Sequence, residues 1–408
     1  MSTYLMTLTL TGNTGAARMA HRFAAALVNR GHQVVLIHGP SAIAVDGSPA
    51  ETVLPDMKNA GLELRQDDRL VASVSPRLVR SLAKTAKQMK AHAIIGVNQH
   101  DRPIAVKAAA LAGISGLISV QNQHRFWGPA FWANIKRGYY SSCVRRFTRL
   151  AICTSEQVAS ELTNEMNLPR DRIEILQNGV DARNFPTYPA SEIIETRRSF
   201  GADGDMFLWV NVGRIDYQKG QDILIEAAAR LRSLHQYWKI VCIGDVTSGT
   251  NKIRMKVYFS QLKQRVSELN LQNYFVFAGW RSDVAKLLAS ADAYVHSARY
   301  EGSPLSVLEA MAAQRPIVTP ENASRPPGFI HNQHGLVVRP GDINDLAEKM
   351  HTIMCASPDE KTRLSTEARR LAVNEYDISA VAARFVELVE MNSGPYSYKT
   401  KIAGNVIP

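Results

Sequence analysis

Two glutamates separated by seven residues frame the part of this chain best suited to hold an anion. The stretch reads Glu301-Gly302-Ser303-Pro304-Leu305-Ser306-Val307-Leu308-Glu309. Gly302 permits close backbone approach to a ligand. Ser303 is a preferred helix N-cap, and Pro304 suits the first helical position. The leading amides of such a helix, those of Leu305 and Ser306, have no intrahelical acceptor and suit a diphosphate. Glu309 falls one turn beyond Leu305, where a carboxylate can accept two ribose hydroxyls. Glu301, at a strand end, falls nearer the sugar. The alternative is a plain strand–turn–helix with a solvated glutamate at each end.

Two cations fit the same ligand. Arg214 and Lys219 follow the apolar run FLWVNVG and precede the helical pattern QDILIEAAARLR. A nucleoside diphosphate gains negative charge as its bond to a sugar breaks, and fixed cations stabilise that charge. Arg214 also admits a surface pairing with Asp216. Near the N-terminus, Gly12-Asn13-Thr14-Gly15 separates a strand from a helix and can cradle phosphate with backbone amides, Gly15 being the better placed. A simple turn is the alternative there. His100-Asp101 and His124 each follow a short apolar run, at 93–97 and 117–120. That places both histidines at strand ends, although a lone histidine is more often structural than catalytic.

The elements that must position these residues alternate throughout. Apolar runs at 4–9, 34–38, 93–97, 117–120 and 150–154 are separated by helical patterns. This predicts a parallel sheet covered on both faces. The pattern restarts at 207–213 and continues through 239–244, 274–277 and 293–296. Two α/β domains are expected, with a boundary near residue 190 and a ligand cleft at the carboxyl ends of the strands.

Residues 301–309 resemble the Glu-x7-Glu motif of the retaining GT-B glycosyltransferases, family 4 (glycosyl transferases group 1) in particular. Val212-Gly213-Arg214 with Gln218-Lys219-Gly220 is similar to that family's phosphate-binding segment. Asn178-Gly179-Val180-Asp181, Asp292-Ala293 and Gly335-Leu336 with Pro340-Gly341-Asp342 resemble further landmarks. The resemblance implies a GT-B fold of two doubly wound Rossmann-like domains facing across a cleft. Residues 1–190 become the acceptor-side domain and 191–392 the donor domain; 393–408 become a tail, packed on the first domain or disordered. It implies transfer of a sugar from a nucleotide sugar to a hydroxyl of a glycan or lipid-linked acceptor, in cell-surface polysaccharide or lipopolysaccharide synthesis. Epimerisation, or noncatalytic binding of a sugar nucleotide, is the alternative. His124, Glu301, Arg214 and Lys219 become the catalytic set, with His124 on the donor sugar. Gly15, Arg214, Lys219, Gly302, Ser303, Leu305, Ser306 and Glu309 bind the donor, and His100 and Asp101 lie on the acceptor side. No metal and no cofactor are implied beyond the co-substrate, and UDP-sugars come before GDP-sugars. Two features depart from the family. The Gly12–Gly15 loop lacks adjacent glycines, and Gly244-Asp245 continues as Val246-Thr247-Ser248-Gly249. The second departure places base specificity in an atypical loop at 244–256.

Composition narrows the classes further. The 408 residues are 45% hydrophobic and 21% charged, enough to build two ordinary cores. The four cysteines are read as scattered, without metal or redox spacing, which predicts a reduced, cytoplasmic setting. No apolar run approaches the roughly 18–20 residues that span a bilayer. The net charge is +11, and residues 69–149 hold 14 Lys/Arg against one acidic residue, Asp101. Basic, aromatic segments at 77–90 and 125–149 suit an anionic membrane surface. A nucleic-acid partner is not expected, and the missing Gly-x-Gly-x-x-Gly argues against a dinucleotide oxidoreductase.

Overall fold

The structure, a computed structural model, describes residues 1–40, 51–70, 75–121, 124, 130–246, 252–322 and 324–396. It divides into two compact units. The first takes the chain as far as Gln177 and takes it up again at Ala380; the second holds Asn178–Ser379. The division therefore falls ahead of residue 190, and the last helix leaves the expected second domain.

The first unit carries seven parallel strands: β1 (Thr3–Leu8), β2 (Gln33–His38), β3 (Glu63–Gln66), β4 (Ala93–Gly96), β5 (Ser115–Val120), β6 (Leu150–Cys153) and β7 (Ile173–Ile175). Their order is β3-β2-β1-β4-β5-β6-β7. Helices α1 (Gly15–Asn29), α2 (Leu54–Asn59), α3 (Pro76–Gln88), α4 (Arg102–Ala112), α5 (Ala130–Phe147) and α6 (Glu156–Met166) make the connections. Strand residues such as Leu5, Val35, Ile94 and Leu117 are fully buried, as a sheet covered on both faces requires. The edge strands β3 and β7 carry no apolar run long enough to show in sequence; β3 is Glu-Leu-Arg-Gln. The strand order reverses between β1 and β4, so a crevice opens where those strands end.

The second unit carries β8 (Phe207–Val212), β9 (Trp238–Ile243), β10 (Phe275–Gly279), β11 (Ala293–Val295), β12 (Ile317–Pro320) and β13 (Leu336–Val338), ordered β10-β9-β8-β11-β12-β13. Its helices are α7 (Ala190–Ser199), α8 (Gln221–Leu234), α9 (Lys252–Glu268), α10 (Val284–Ser290), α11 (Leu305–Ala312), α12 (Ile343–Cys355) and α13 (Pro358–Glu375). The order reverses between β8 and β11. Helix α14 (Ile378–Met391) begins here and returns the chain to the first unit. There Phe385 stacks on Phe23 with ring centroids 4.1 Å apart, and Glu390 meets His32 at 2.8 Å. Burying a phenylalanine side chain stabilises by about 1.5–3 kcal/mol, which explains why α14 packs there. Of the expected tail, Gly394 accepts from the Ser115 amide, and 397–408 lie outside the described residues.

Two glycines permit close backbone approaches in the segments that follow β8 and β9. Gly220 has φ +65°, and a Cβ there would lie 2.1 Å from the Ser297 carbonyl oxygen. Gly244 has φ +138°, and a Cβ would lie 2.0 Å from the Gly213 oxygen. Gly220→Ala is expected to lose about 1–2 kcal/mol from the left-handed backbone alone, with the carbonyl contact adding to it. A lowered urea midpoint at unchanged m-value is the expected reading; an unchanged midpoint would contradict the close approach.

Candidate active site

The site in the second unit is built from the segments that leave β8 and β11. After β8 come Gly213 and Arg214, then a 3₁₀ turn over Tyr217–Lys219. Asp216 caps that turn by accepting from the Gln218 amide at 3.0 Å. After β11 come His296 and the run to Glu301. The two segments are stitched together. The Arg299 amide donates to the Gln218 carbonyl at 2.9 Å. The Arg299 guanidinium pairs with both oxygens of Asp222, at 2.8 and 2.6 Å, and lies over the Tyr217 ring. Asn211 donates to the Val295 carbonyl at 2.8 Å, and the Ser297 hydroxyl to the Lys219 carbonyl at 3.0 Å.

These bonds bring Lys219 against Glu301. The carboxylate is only 3% exposed. Its Oε1 pairs with the Lys219 ammonium and lies 3.4 Å from His296 Nε2, while Oε2 accepts from Gln218 Nε2 at 3.3 Å. Burial pushes the carboxyl pKa up, but Lys219 and His296 together outweigh it and hold the value at about 2. His296 is itself kept neutral, chiefly by burial. Facing a carboxylate, it favours the tautomer protonated at Nε2, with Nδ1 lying 3.0 Å from the Tyr294 hydroxyl. Arg214 is held more loosely. Its guanidinium lies 3.5 Å from Asp216 and donates to Gln218 Oε1 at 3.4 Å. The expected surface pairing is thus present, and the side chain is 38% exposed.

Helix α11 begins one residue later than the sequence suggested. Pro304, at φ −73° and ψ 119°, is the cap residue, not the first helical one, and Ser303 lies outside the helix. A residue before proline is steered away from helical angles. Ser303 is also engaged elsewhere: its carbonyl accepts from Asn178 Nδ2 at 2.6 Å and its hydroxyl from the Asn178 amide at 3.4 Å. No side chain caps α11, so the amides of Leu305 and Ser306 precede its first intrahelical bonds. Gly302 and Glu309 are buried beside them. The Ser306 hydroxyl lies 2.9 Å from that of Tyr294.

The first unit's candidates lie at its own strand ends. Gly15 is exposed at the start of α1, whose Thr14 cap accepts from the Ala17 amide at 3.3 Å. His100 is exposed. Asp101 is not: its buried carboxylate accepts from the Thr9 amide at 2.9 Å, the Thr9 hydroxyl at 3.1 Å and the Val97 amide at 2.9 Å. Burial raises its pKa to about 7 against those bonds and Arg102. It ties the ends of β1 and β4 together, a positioning role where an acceptor contact was expected. His124 is buried too. Its Nε2 lies 2.6 Å from the Tyr140 hydroxyl and 3.0 Å from Arg102 Nη1, and Nδ1 lies 3.4 Å from Glu161. Arg102 only donates, so Nε2 accepts and the proton sits on Nδ1 toward Glu161. Burial is the main cause of its lowered pKa.

The sequence reading missed His296, the Asn178 clamp on Ser303, and the buried Arg102–Tyr140–Glu161 set. His296 left a signal as a histidine closing the run AYVH, and Asn178 as part of the landmark Asn178–Asp181, though neither pointed to its partner. The loop departure at 247–251 and the aromatic residues Phe126 and Trp127 lie outside the described residues.

Two doubly wound parallel sheets, each with its own reversal of strand order, are those of the GT-B fold. Residues 13–184 match Glycosyltransferase Family 4 and residues 192–371 match Glycosyl transferases group 1, and the chain belongs to this family. An uncharacterized glycosyltransferase of Methanocaldococcus jannaschii is 30% identical over 51% of this chain and 50% of its own length. The lipopolysaccharide core biosynthesis mannosyltransferase LpsB of Rhizobium meliloti is 23% identical over 62% of this chain and 69% of its own. The crystal structure of Anabaena Alr3699/HepE in complex with UDP and glucose superposes with a TM-score of 0.79. It covers 95% of this chain and 99% of that one at 18% identity, a likeness of fold. The chain spans about half the length of the first of these curated relatives.

The pH dependence of the Lys219–Glu301 pair follows from its shift. A carboxyl lowered from 4.5 to about 2 contributes stability fully present above pH 4.5 and lost as pH falls toward 2. The contribution is on the order of 3 kcal/mol. Lys219→Met should therefore be less stable at pH 7 by that order, with the gap to wild type closing at acid pH. Urea midpoints from pH 7 to pH 3 test this; a constant gap would contradict the pairing.

Proposed function

We propose that this protein transfers a sugar from a nucleotide sugar to a hydroxyl of a glycan or lipid-linked acceptor, with retention of anomeric configuration. The observation that carries the reading is the ionised Glu301, neutralised by Lys219 immediately before the uncapped N-terminus of α11. A diphosphate at that helix end accepts the Leu305 and Ser306 amides and draws Lys219 and the loosely held Arg214 onto its oxygens. Sugar hydroxyls then donate to Glu301 in the place that Lys219 leaves and, with His296, keep it ionised, while Glu309 accepts those of the ribose. The acceptor oxygen bonds to the anomeric carbon on the face from which the phosphate leaves, and its proton passes to the departing phosphate oxygen. Arg214, Lys219 and the helix amides stabilise the charge that develops there, without a metal ion. Gly15 is assigned to the donor diphosphate, His124 to the donor sugar and His100 to the acceptor.

Uridine is the preferred base in this proposal, supported by the UDP in the Anabaena structure's name. Cell-surface polysaccharide or lipopolysaccharide synthesis is supported by the role named for LpsB. Arg214→Ala and Lys219→Ala, at saturating donor, should each lower kcat by about 10²–10³. Unchanged turnover would sink their roles. UDP-sugars, compared with GDP- and ADP-sugars, should give the larger rise in melting temperature, and Glu309→Gln should abolish it.

We also propose peripheral attachment to the inner, anionic face of a cell membrane. No helix of the described residues is long and apolar enough to cross one. The core-facing side of α3 buries Leu78, Val79 and Leu82, and an open groove beside it is lined by Arg80, Lys84 and Lys87. On α5, Phe131 and Trp132 are 68% and 58% exposed next to Lys136 and Arg137. Each such cation near the surface contributes about 1 kcal/mol. The protein should co-sediment with vesicles containing phosphatidylglycerol and not with pure phosphatidylcholine, and Phe131→Ser with Trp132→Ser should weaken it. Equal binding to both vesicles would refute the proposal.

A further inference from the structure

A second cluster of ligating side chains lies at the far end of α8. The α8 N-terminus follows Lys219 and Gly220, while His235 caps its other end, about 20 Å away along a helix of this length. Helix α12 packs on α8 through a core that includes Leu231, Ala347 and Met350. It presents His351 and Cys355 one turn apart, and both face His235. His235 Nε2 lies 2.6 Å from His351 Nδ1. Cys355 Sγ lies 3.6 Å from His235 Nε2 and 3.8 Å from His351 Nδ1. The His235 carbonyl accepts from the Trp238 indole at 3.0 Å, which fixes the backbone that carries the first imidazole.

We propose that His235, His351 and Cys355 form a binding site for Zn²⁺. Tetrahedral zinc, with Zn–S near 2.3 Å and Zn–N near 2.0–2.1 Å, sets its sulfur about 3.6 Å and its second nitrogen about 3.3 Å from a bound nitrogen. The sulfur distances already match. The two nitrogens are closer than zinc requires, at the separation of imidazoles sharing a proton, and parting them takes a shift of less than about 1 Å. Both histidines are partly exposed and Cys355 is exposed, so the side chains have room to part and an ion has a path in. One thiolate and two neutral imidazoles suit a borderline-soft cation and disfavour hard Mg²⁺. Binding releases the thiol proton, and water fills the fourth position. Sequence reading passed over the site because His351 and Cys355, four apart, form half a ligand set. The third ligand is supplied by a different helix. An ion there bridges the ends of α8 and α12 and stabilises the second unit away from the diphosphate site.

The test uses tag-free, full-length protein stripped with chelator and dialysed. Zn²⁺ titrated by calorimetry should bind at one equivalent and raise the melting temperature, whereas Mg²⁺ should do neither. Co²⁺ as a probe should give a sulfur-to-cobalt charge-transfer band with tetrahedral ligand-field intensity. Cys355→Ser and His351→Gln should each weaken Zn²⁺ binding at least about 100-fold, with metal-free melting temperatures like that of wild type. Binding equal to wild type in both variants, a Co²⁺ spectrum without the sulfur band, or an equal shift with Mg²⁺ would overturn the site. No donor or acceptor enters the assay, so its outcome is independent of the transferase reading.

Discussion

The buried pairing of Lys219 with Glu301 is the interaction on which the second unit's site depends. A carboxylate enclosed to this degree takes up a proton unless a cation stands against it. Keeping it ionised demands that the segment after β8 and the segment after β11 hold fixed positions. The Asp216 cap, the Arg299–Asp222 pair and the Asn211 bond to Val295 supply that rigidity. Even the glycines follow from it. Gly220 lets the turn press on the Ser297 carbonyl, and a Cβ at Gly213 would meet the Lys219 chain at 3.3 Å.

The first unit meets a similar demand with different chemistry. Asp101 lies at the equivalent reversal of strand order, yet its pKa rises to about 7 where that of Glu301 falls to about 2. The difference lies in the partners. Glu301 faces an ammonium directly. Asp101 receives neutral N–H and O–H donors, while the neighbouring Arg102 directs its guanidinium to the Val97 and Ser119 carbonyls and to His124. One carboxylate is therefore a charged group available for exchange, and the other a fixed strut.

The charge imbalance acquires a location in the same way. The cations of α3 lie on its solvent side because Leu78, Val79 and Leu82 are needed in the core. On α5 the aromatics divide: Tyr140 is buried against His124, whereas Phe131 and Trp132 remain exposed.

The sequence by itself determined much of this protein. Long apolar strands such as Phe207–Val212, the Glu301–Glu309 segment and the cations Arg214 and Lys219 were legible because each is a local pattern: burial on two faces, a turn opening a helix, charge beside a strand end. The short polar strands Glu63–Gln66 and Ile173–Ile175 were not legible, since edge pairing leaves no long apolar run. Tertiary structure alone decided that Ser303 is held by Asn178 rather than capping α11, and that α14 returns to Phe23. It alone turned Asp101 inward and brought His235 to His351 and Cys355. In each case the deciding bond joins residues far apart in the chain, and local preference carries no record of a partner that only folding brings near.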